Sequence, residues 1–293
     1  MSPTIELSDL VVRYPRGEAV KGLSLSVEAG RCHALFGRNG AGKTSTMRAL
    51  LGLLRPTSGS VKLFGLDVVK NEAEVKSRLA WVPDAPGFHP WMSVEEVLAY
   101  AAALRPSWNR TLQEHLLTRF ELDLSAPTSA LSKGQKTQLA LVCAIAADPE
   151  LLVLDEPTSG LDPLVRRQFL EAVIGVFQER EPAKKTILVS THLISEFEGV
   201  VDGFTVLSGG RAVLSTEADA ARARFCRLRA WFDSEAPMSV PMKTVKPLSR
   251  EGRMLDFVVD DEADAARGWL TQHGAVRVDA SALSLEDIFL LAA

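Results

Sequence analysis

The chain has 293 residues, with 33 Lys and Arg against 37 Asp and Glu, a net charge of −4 at pH 7, and 46% hydrophobic residues. This is the balance of a globular chain with enough apolar material for one large core and a smaller one, and it excludes disordered and collagen-like classes. No run of about 18 apolar residues is present to span a bilayer, and the acidic balance gives no bulk charge for holding nucleic acid, so no nucleic-acid partner is expected.

The start MSPTIELSDL places Glu6 and Asp9 where a secretion signal needs a basic start and a long apolar stretch, so no leader is expected there. Ile5, Leu7 and Leu10 to Val12 predict a strand, Pro15-Arg16-Gly17 a turn, and the alternation Leu23, Leu25, Val27 a second strand. A short apolar strand over 31–36 runs into a glycine-rich loop, and a helix is predicted from about Lys43 to Leu54, stopped by Pro56. Strand and helix pieces fill 60–83, and 85–147 reads as mostly helical. Two helix starts there carry a capping box, Ser93 with Glu96 and Ser132 with Gln135. Leu151 to Leu154 is a continuous apolar run, as a strand buried on both faces requires. A helix near 164–180 and a second buried strand over 186–190 continue an alternating β/α pattern. After about Leu214 the pattern changes. Short alternating segments, Cys226–Phe232, Met254–Val259 and Val276–Val278, enclose a helix near 262–272, which predicts a small α+β domain. The expected organisation is therefore an α/β domain over 1–214, with a helical part at about 85–147, and a second domain over 215–293. Cys32, Cys143 and Cys226 are sparse and far apart, which suits a reducing compartment better than a disulfide framework.

The strongest chemical signal is Gly37-Arg38-Asn39-Gly40-Ala41-Gly42-Lys43-Thr44, which satisfies G-x-x-x-x-G-K-[ST] between a strand and a helix. Glycines let the backbone wind around phosphates with its N–H groups inward, and the helix start adds positive potential. Lys43 is expected to reach the terminal phosphates and the Thr44 hydroxyl to bind Mg²⁺. Further on, the buried run 151–154 delivers Asp155 and Glu156 at its C-terminal end, where open α/β sheets keep their ligands. Asp155 suits Mg²⁺ held through water, and Glu156 suits polarising an attacking water.

With these residues in place the sequence resembles the ATPase domain of ABC transporters across about residues 4–214. Leu131-Ser132-Lys133-Gly134-Gln135 matches the signature LSGGQ with Lys at the third position, and Asp155-Glu156 matches the Walker B aspartate and catalytic glutamate. Ser159-Gly160-Leu161-Asp162 matches the D-loop. His192, 36 residues beyond Glu156, matches the switch histidine, although a histidine after a buried strand also has a purely structural reading. Tyr14 stands where the family stacks an aromatic on adenine. The resemblance implies a P-loop fold with a mixed-sheet core, a helical signature subdomain and a small C-terminal α+β domain. It implies ATP and Mg²⁺ as cofactors, with Gly37 to Ser45 around the nucleotide and Ser132, Lys133, Gly134, Gln135 and Asp162 facing the nucleotide of a second subunit. It implies a head-to-tail dimer, a homodimer or a pair with a like chain, driving separate membrane subunits from the cytoplasmic face.

Three features stand outside the plain pattern. Asp84 replaces the usual glutamine after Leu79-Ala80-Trp81-Val82-Pro83, either staying near the metal or capping a turn between Pro83 and Pro86. Phe88-His89-Pro90-Trp91 reads as a packed loop or as part of the groove in which the family receives a helix of the membrane subunit. The tail Ser284-Leu285-Glu286-Asp287-Ile288-Phe289-Leu290 resembles the C-terminal extension of bacterial drug and peptide exporter ATPases. A different class, a soluble ABC-type ATPase acting on ribosomes or DNA, fits poorly, because such proteins join two domains or insert long coiled coils. A GTPase would need an Asn-Lys-x-Asp motif, which is absent.

Overall fold

The computed structural model describes residues 3–177, 185–242 and 244–292. Its contacts group into two units, Met1–Leu193 with Leu207–Ala212, and Ile194–Val206 with Val213–Ala293.

In the first unit, β1 (Ile5–Tyr14) and β2 (Gly17–Val27) form a hairpin. With β4 (Ser58–Leu63) and β5 (Leu66–Asp67) they make an antiparallel sheet in the order β2-β1-β4-β5. Ile5 stands opposite Val27 on one side and Leu63 on the other, so the alternating apolar residues share one face. A second layer is parallel. β6 (Leu79–Val82), β7 (Leu151–Asp155), β8 (Thr186–Thr191) and β3 (Cys32–Gly37) pair in that order, with Leu79 beside Leu151, Leu151 beside Thr186 and Cys32 beside Ile187. Every residue of β3, β7 and β8 is buried, as strands covered on both faces must be. Helix α1 (Lys43–Leu50) touches strands of both sheets, and its Met47, Ala49 and Leu50 join Ile5, Leu10, Leu35, Leu63, Val153 and Leu188 in one core. Burying the apolar faces of two sheets on one helix fixes that helix, and with it the loop that precedes it. The helix ends at Leu50, earlier than the expected Leu54.

The rest of this unit contains α2 (Glu72–Arg78), α3 (Val94–Ala103), α4 (Arg110–Arg119) and α5 (Lys133–Ala146). Both predicted capping boxes are formed at α3 and α5, and Asn109 caps α4. Helix α5 packs on α3 and α4 and buries Leu139, Val142, Ile145 and Ala146. Burial pushes the Cys143 thiol on this helix up to about 12, with Arg105 opposing, which leaves it an unreactive packing residue. Helix α6 is described over Pro163–Phe177, and positions 178–180 of the predicted helix lie outside the described residues.

In the second unit, α7 (Ile194–Phe197), α8 (Ala218–Arg224) and α10 (Leu285–Ala292) pack together through buried Ile194, Phe197, Ala221, Leu285, Ile288 and Phe289. Beside them β11 (Phe225–Phe232), β12 (Thr244–Glu251), β13 (Met254–Asp260) and β14 (Ala275–Ala282) form an antiparallel sheet in the order β12-β13-β11-β14. Helix α9 (Ala263–Gln272) sets Ala266 and Leu270 against Leu228, Ala230, Phe257 and Val259. Strands β9 (Gly203–Ser208) and β10 (Arg211–Glu217) are each divided between the two units. Strand β12 and helix α10 were not expected from periodicity. Among the described residues no helix is long and apolar enough to cross a membrane.

Candidate ATP site

The site begins where β3 ends. Gly37, Gly40 and Gly42 shape the loop before α1, and the helix starts at Gly42 with φ +108 and no side-chain cap. A Cβ at Gly42 would lie 2.5 Å from the Ala19 carbonyl oxygen, and one at Gly37 would lie 2.8 Å from that of Leu207. These backbones approach more closely than any side chain permits, and the loop is a cradle only because both positions are bare. Ala41 is buried and donates its N–H to the Arg38 carbonyl at 3.1 Å, closing the loop, while Arg38, Asn39 and Gly40 are exposed. A helix start of this kind leaves its first-turn amides without partners four residues back, at the positive end of the helix dipole. Thr44 is exposed, and Ser45 is half-buried within 3.4 Å of the Tyr14 hydroxyl.

Lys43 is buried, an unusual place for an ammonium, and is held there by partners. It donates to the Gly37 carbonyl at 2.6 Å and lies 3.0 Å from Glu156 Oε1. Glu156 follows β7 in a left-handed conformation, φ +46, rare for a residue with a side chain. Its N–H donates to the Ser190 carbonyl at 2.8 Å, which fixes the turn. Its second oxygen, Oε2, lies 2.7 Å from His192 Nδ1 and accepts the His192 backbone N–H at 3.3 Å. Lys43, Glu156 and His192 therefore form one continuous chain of polar contacts. Next to it, buried Asp155 accepts a hydrogen bond from the Ser190 hydroxyl at 2.7 Å. Burial pushes the Asp155 carboxyl up, the charges of Glu156 and Asp84 push it further, and Ser190 and Lys43 only partly oppose.

The excess of carboxylate here is what a divalent cation relieves, and the donors are hard oxygens. Asp155, with the Asp84 charge acting on it, offers carboxylate oxygens of the kind Mg²⁺ takes, one or two from protein with phosphate and water completing the shell. Among the described residues no three His, Cys, Asp or Glu side chains converge on a single point.

The signature residues form a separate group. Ser132 accepts the Gln135 N–H at 3.1 Å, and the Gln135 side chain accepts the Ser132 N–H at 3.0 Å. Gly134 packs close to Val165, 3.3 Å from where its Cβ would be. Asp162 spends one carboxylate oxygen on the N–H groups of Leu164 and Val165, capping α6. Among the described residues no hydrogen bond or ion pair joins Ser132, Gly134 or Gln135 to Lys43, Glu156 or His192. Sequence reasoning missed two features of the site: Ser190 as the partner of Asp155, and the direct contact of Lys43 with Glu156. Neither carries a sequence signal, because each arises from the parallel pairing of strands far apart in the chain.

Comparison with known proteins places the chain among relatives. A family profile described as ABC transporter matches residues 20–159. The chain is 34% identical over 213 residues to the bacitracin transport ATP-binding protein BcrA of Bacillus licheniformis, covering 72% of this chain and 69% of that protein. It is 36% identical over 214 residues to the Nod factor export ATP-binding protein I of Burkholderia orbicola, covering 71% and 69% respectively. A solved structure of an ATP-binding subunit of an ABC transporter superposes with a TM-score of 0.67 at 30% identity, over 75% of this chain and 92% of that one. The glycine cradle, the Lys43–Glu156–His192 chain and this similarity lead to one conclusion: the chain belongs to the ABC transporter family, as an ATP-binding subunit with ATPase activity.

Proposed function

We propose that the chain drives an exporter: two copies close head to tail around two ATP molecules with Mg²⁺, and the motion acts on separate transmembrane subunits at the cytoplasmic face. One observation carries this reading, the Glu156 carboxylate placed between Lys43 and His192 at the C-terminal end of β7. Tyr14 stacks on the base, and the amides of residues 37–45 take up the phosphates. Lys43 exchanges its Glu156 partner for phosphate, which releases one carboxylate oxygen to hold the attacking water. His192, bonded to the other oxygen, keeps the carboxylate oriented and offers its second ring nitrogen toward the phosphate. Thr44 and Asp155 would hold Mg²⁺, with Asp84 beside them, and the bound ion would supply positive charge against the phosphates. Ser132, Gly134 and Gln135, which stand apart from Lys43 in one chain, face the nucleotide of the second copy.

Residues 1–214 serve as the ATPase domain in this reading and 215–293 as a separate small domain. Export is supported by the relative named for Nod factor export and by the tail motif at 284–290. A membrane partner is supported by an apolar groove of about 310 Å³ lined by Trp81, Pro83, Phe88, Val97, Tyr100 and Leu104. Tyr100 and Leu104 are exposed there, and Trp91, which does not line the groove, is exposed and stacked on His89 at 4.7 Å. No part of the reading calls for nucleic acid.

Glu156→Gln tests the mechanism. We expect hydrolysis to fall at least about 100-fold while ATP produces a stable dimer on size exclusion. Parental turnover, or a solitary chain at saturating ATP, would count against the proposal.

A further inference from the structure

Two places where the sequence departs from the family pattern meet in space. Lys133 occupies the third position of the signature segment and Asp84 the loop after β6, and the Lys133 ammonium lies 3.8 Å from the Asp84 carboxylate. The same ammonium donates to the Ser159 backbone carbonyl at 2.7 Å. Gly160 leaves room for it: at φ +69 it has no side chain, and a Cβ there would come within 3.2 Å of Lys133 Nζ. The loop reached in this way is short and already folded on itself. Ser159 donates to the Glu156 carbonyl at 3.1 Å and Leu161 to that of Thr158 at 3.2 Å. Glu156 opens the loop and Asp162, the cap of α6, closes it.

We propose that Lys133 is a positioning residue that ties the first turn of α5 to the loop between Glu156 and Asp162 and holds Asp84 beside it, so that the three segments keep one arrangement. A glycine at this position, as in the family signature, has no side chain to make the tie. The charge-assisted bond to the carbonyl is the stronger part. The 3.8 Å pair joins two half-exposed groups and is weak and salt-sensitive. The kinetic consequence rests on the ATPase mechanism proposed above, whereas the tie itself does not.

Hydrogen exchange read by mass spectrometry on the full chain, without nucleotide, tests the tie. In Lys133→Ala the amides of 158–162 are expected to exchange roughly two- to tenfold faster, with an unchanged melting temperature, and Lys133→Arg is expected to restore most of the protection. Unchanged exchange in this segment, or a rise spread evenly over the chain, would overturn the proposal. In the ATPase assay kcat of Lys133→Ala is expected to fall at least about threefold with KM within about twofold, the mark of a group acting on the transition state. The opposite split, KM raised at constant kcat, would overturn it as well. Because exchange is read without nucleotide, failure of the tie and failure of the functional reading are distinguishable.

Discussion

Glu156 gathers the polar contacts of the site on one strained residue. A left-handed backbone costs a side chain of this kind about 1–3 kcal/mol, and the cost is met by the N–H bond to Ser190 and by contacts to Lys43 and His192. The neighbouring Asp155 adds a second conflict. Its carboxyl is pushed up by burial and by Glu156 and Asp84, so as pH rises past the ordinary aspartate range the unfolded chain releases its proton first. Folding therefore loses stability across the window from the unfolded value up to the raised one, and stays penalised above it. Asp155→Asn removes the charge and still accepts from Ser190. Its melting temperature at pH 7 is expected to rise by about 2–4 °C, with the gain shrinking as pH falls toward 4, while Mg²⁺-dependent hydrolysis is lost. Thermal melts at the two pH values and a phosphate-release assay check both parts.

Among the elements, the turn from β3 into α1 places the most exacting demand on its residues. Gly42 has a positive φ and almost touches the Ala19 carbonyl, so Gly42→Ala meets backbone strain and a steric clash together. We expect at least about 2 kcal/mol of destabilisation in a denaturant titration, and loss of ATP binding, since the amides cannot keep their directions. The start of α5 was readable in advance because a capping box is a local device, in which Ser132 and Gln135 satisfy each other's N–H groups. Helix α10 was less readable. Leu285, Ile288 and Phe289 do recur at helical spacing, but eight residues give a weak periodic signal, and it is packing on α7 and α8 that holds them.

For the molecule as a whole, the four-stranded sheet of the second unit brings a core of its own among the described residues. In the smaller sheet a nearly inaccessible carboxylate, Asp256, is gripped by Arg227 through two hydrogen bonds of 2.8 and 2.6 Å and by Arg229 at 3.0 Å. Burial pushes Asp256 up, and the two guanidinium groups more than offset it, so its carboxyl stays below the ordinary range. This stability is present above the unfolded aspartate value and is lost as pH falls through the lowered one. Arg227→Ala leaves the buried charge half-partnered. We expect a loss of about 2–3 kcal/mol at pH 7, measured by urea unfolding, with acid unfolding of this region moving to higher pH.

Short-range chemistry was open to inspection in the amino-acid order. The phosphate loop, the buried run ending in Asp155-Glu156, the capped start at Ser132 and most strands of the larger unit follow from spacing and residue type, because their causes act over a few positions. Other features needed the folded chain. Lys43 meets Glu156, Ser190 meets Asp155, and Lys133 reaches Ser159 and Asp84 across separations of 26 to 113 residues. Those meetings depend on which strand lies beside which in the parallel sheet and on where helix α5 packs against it. That order is set by burial of whole faces, which no local pattern of residues encodes.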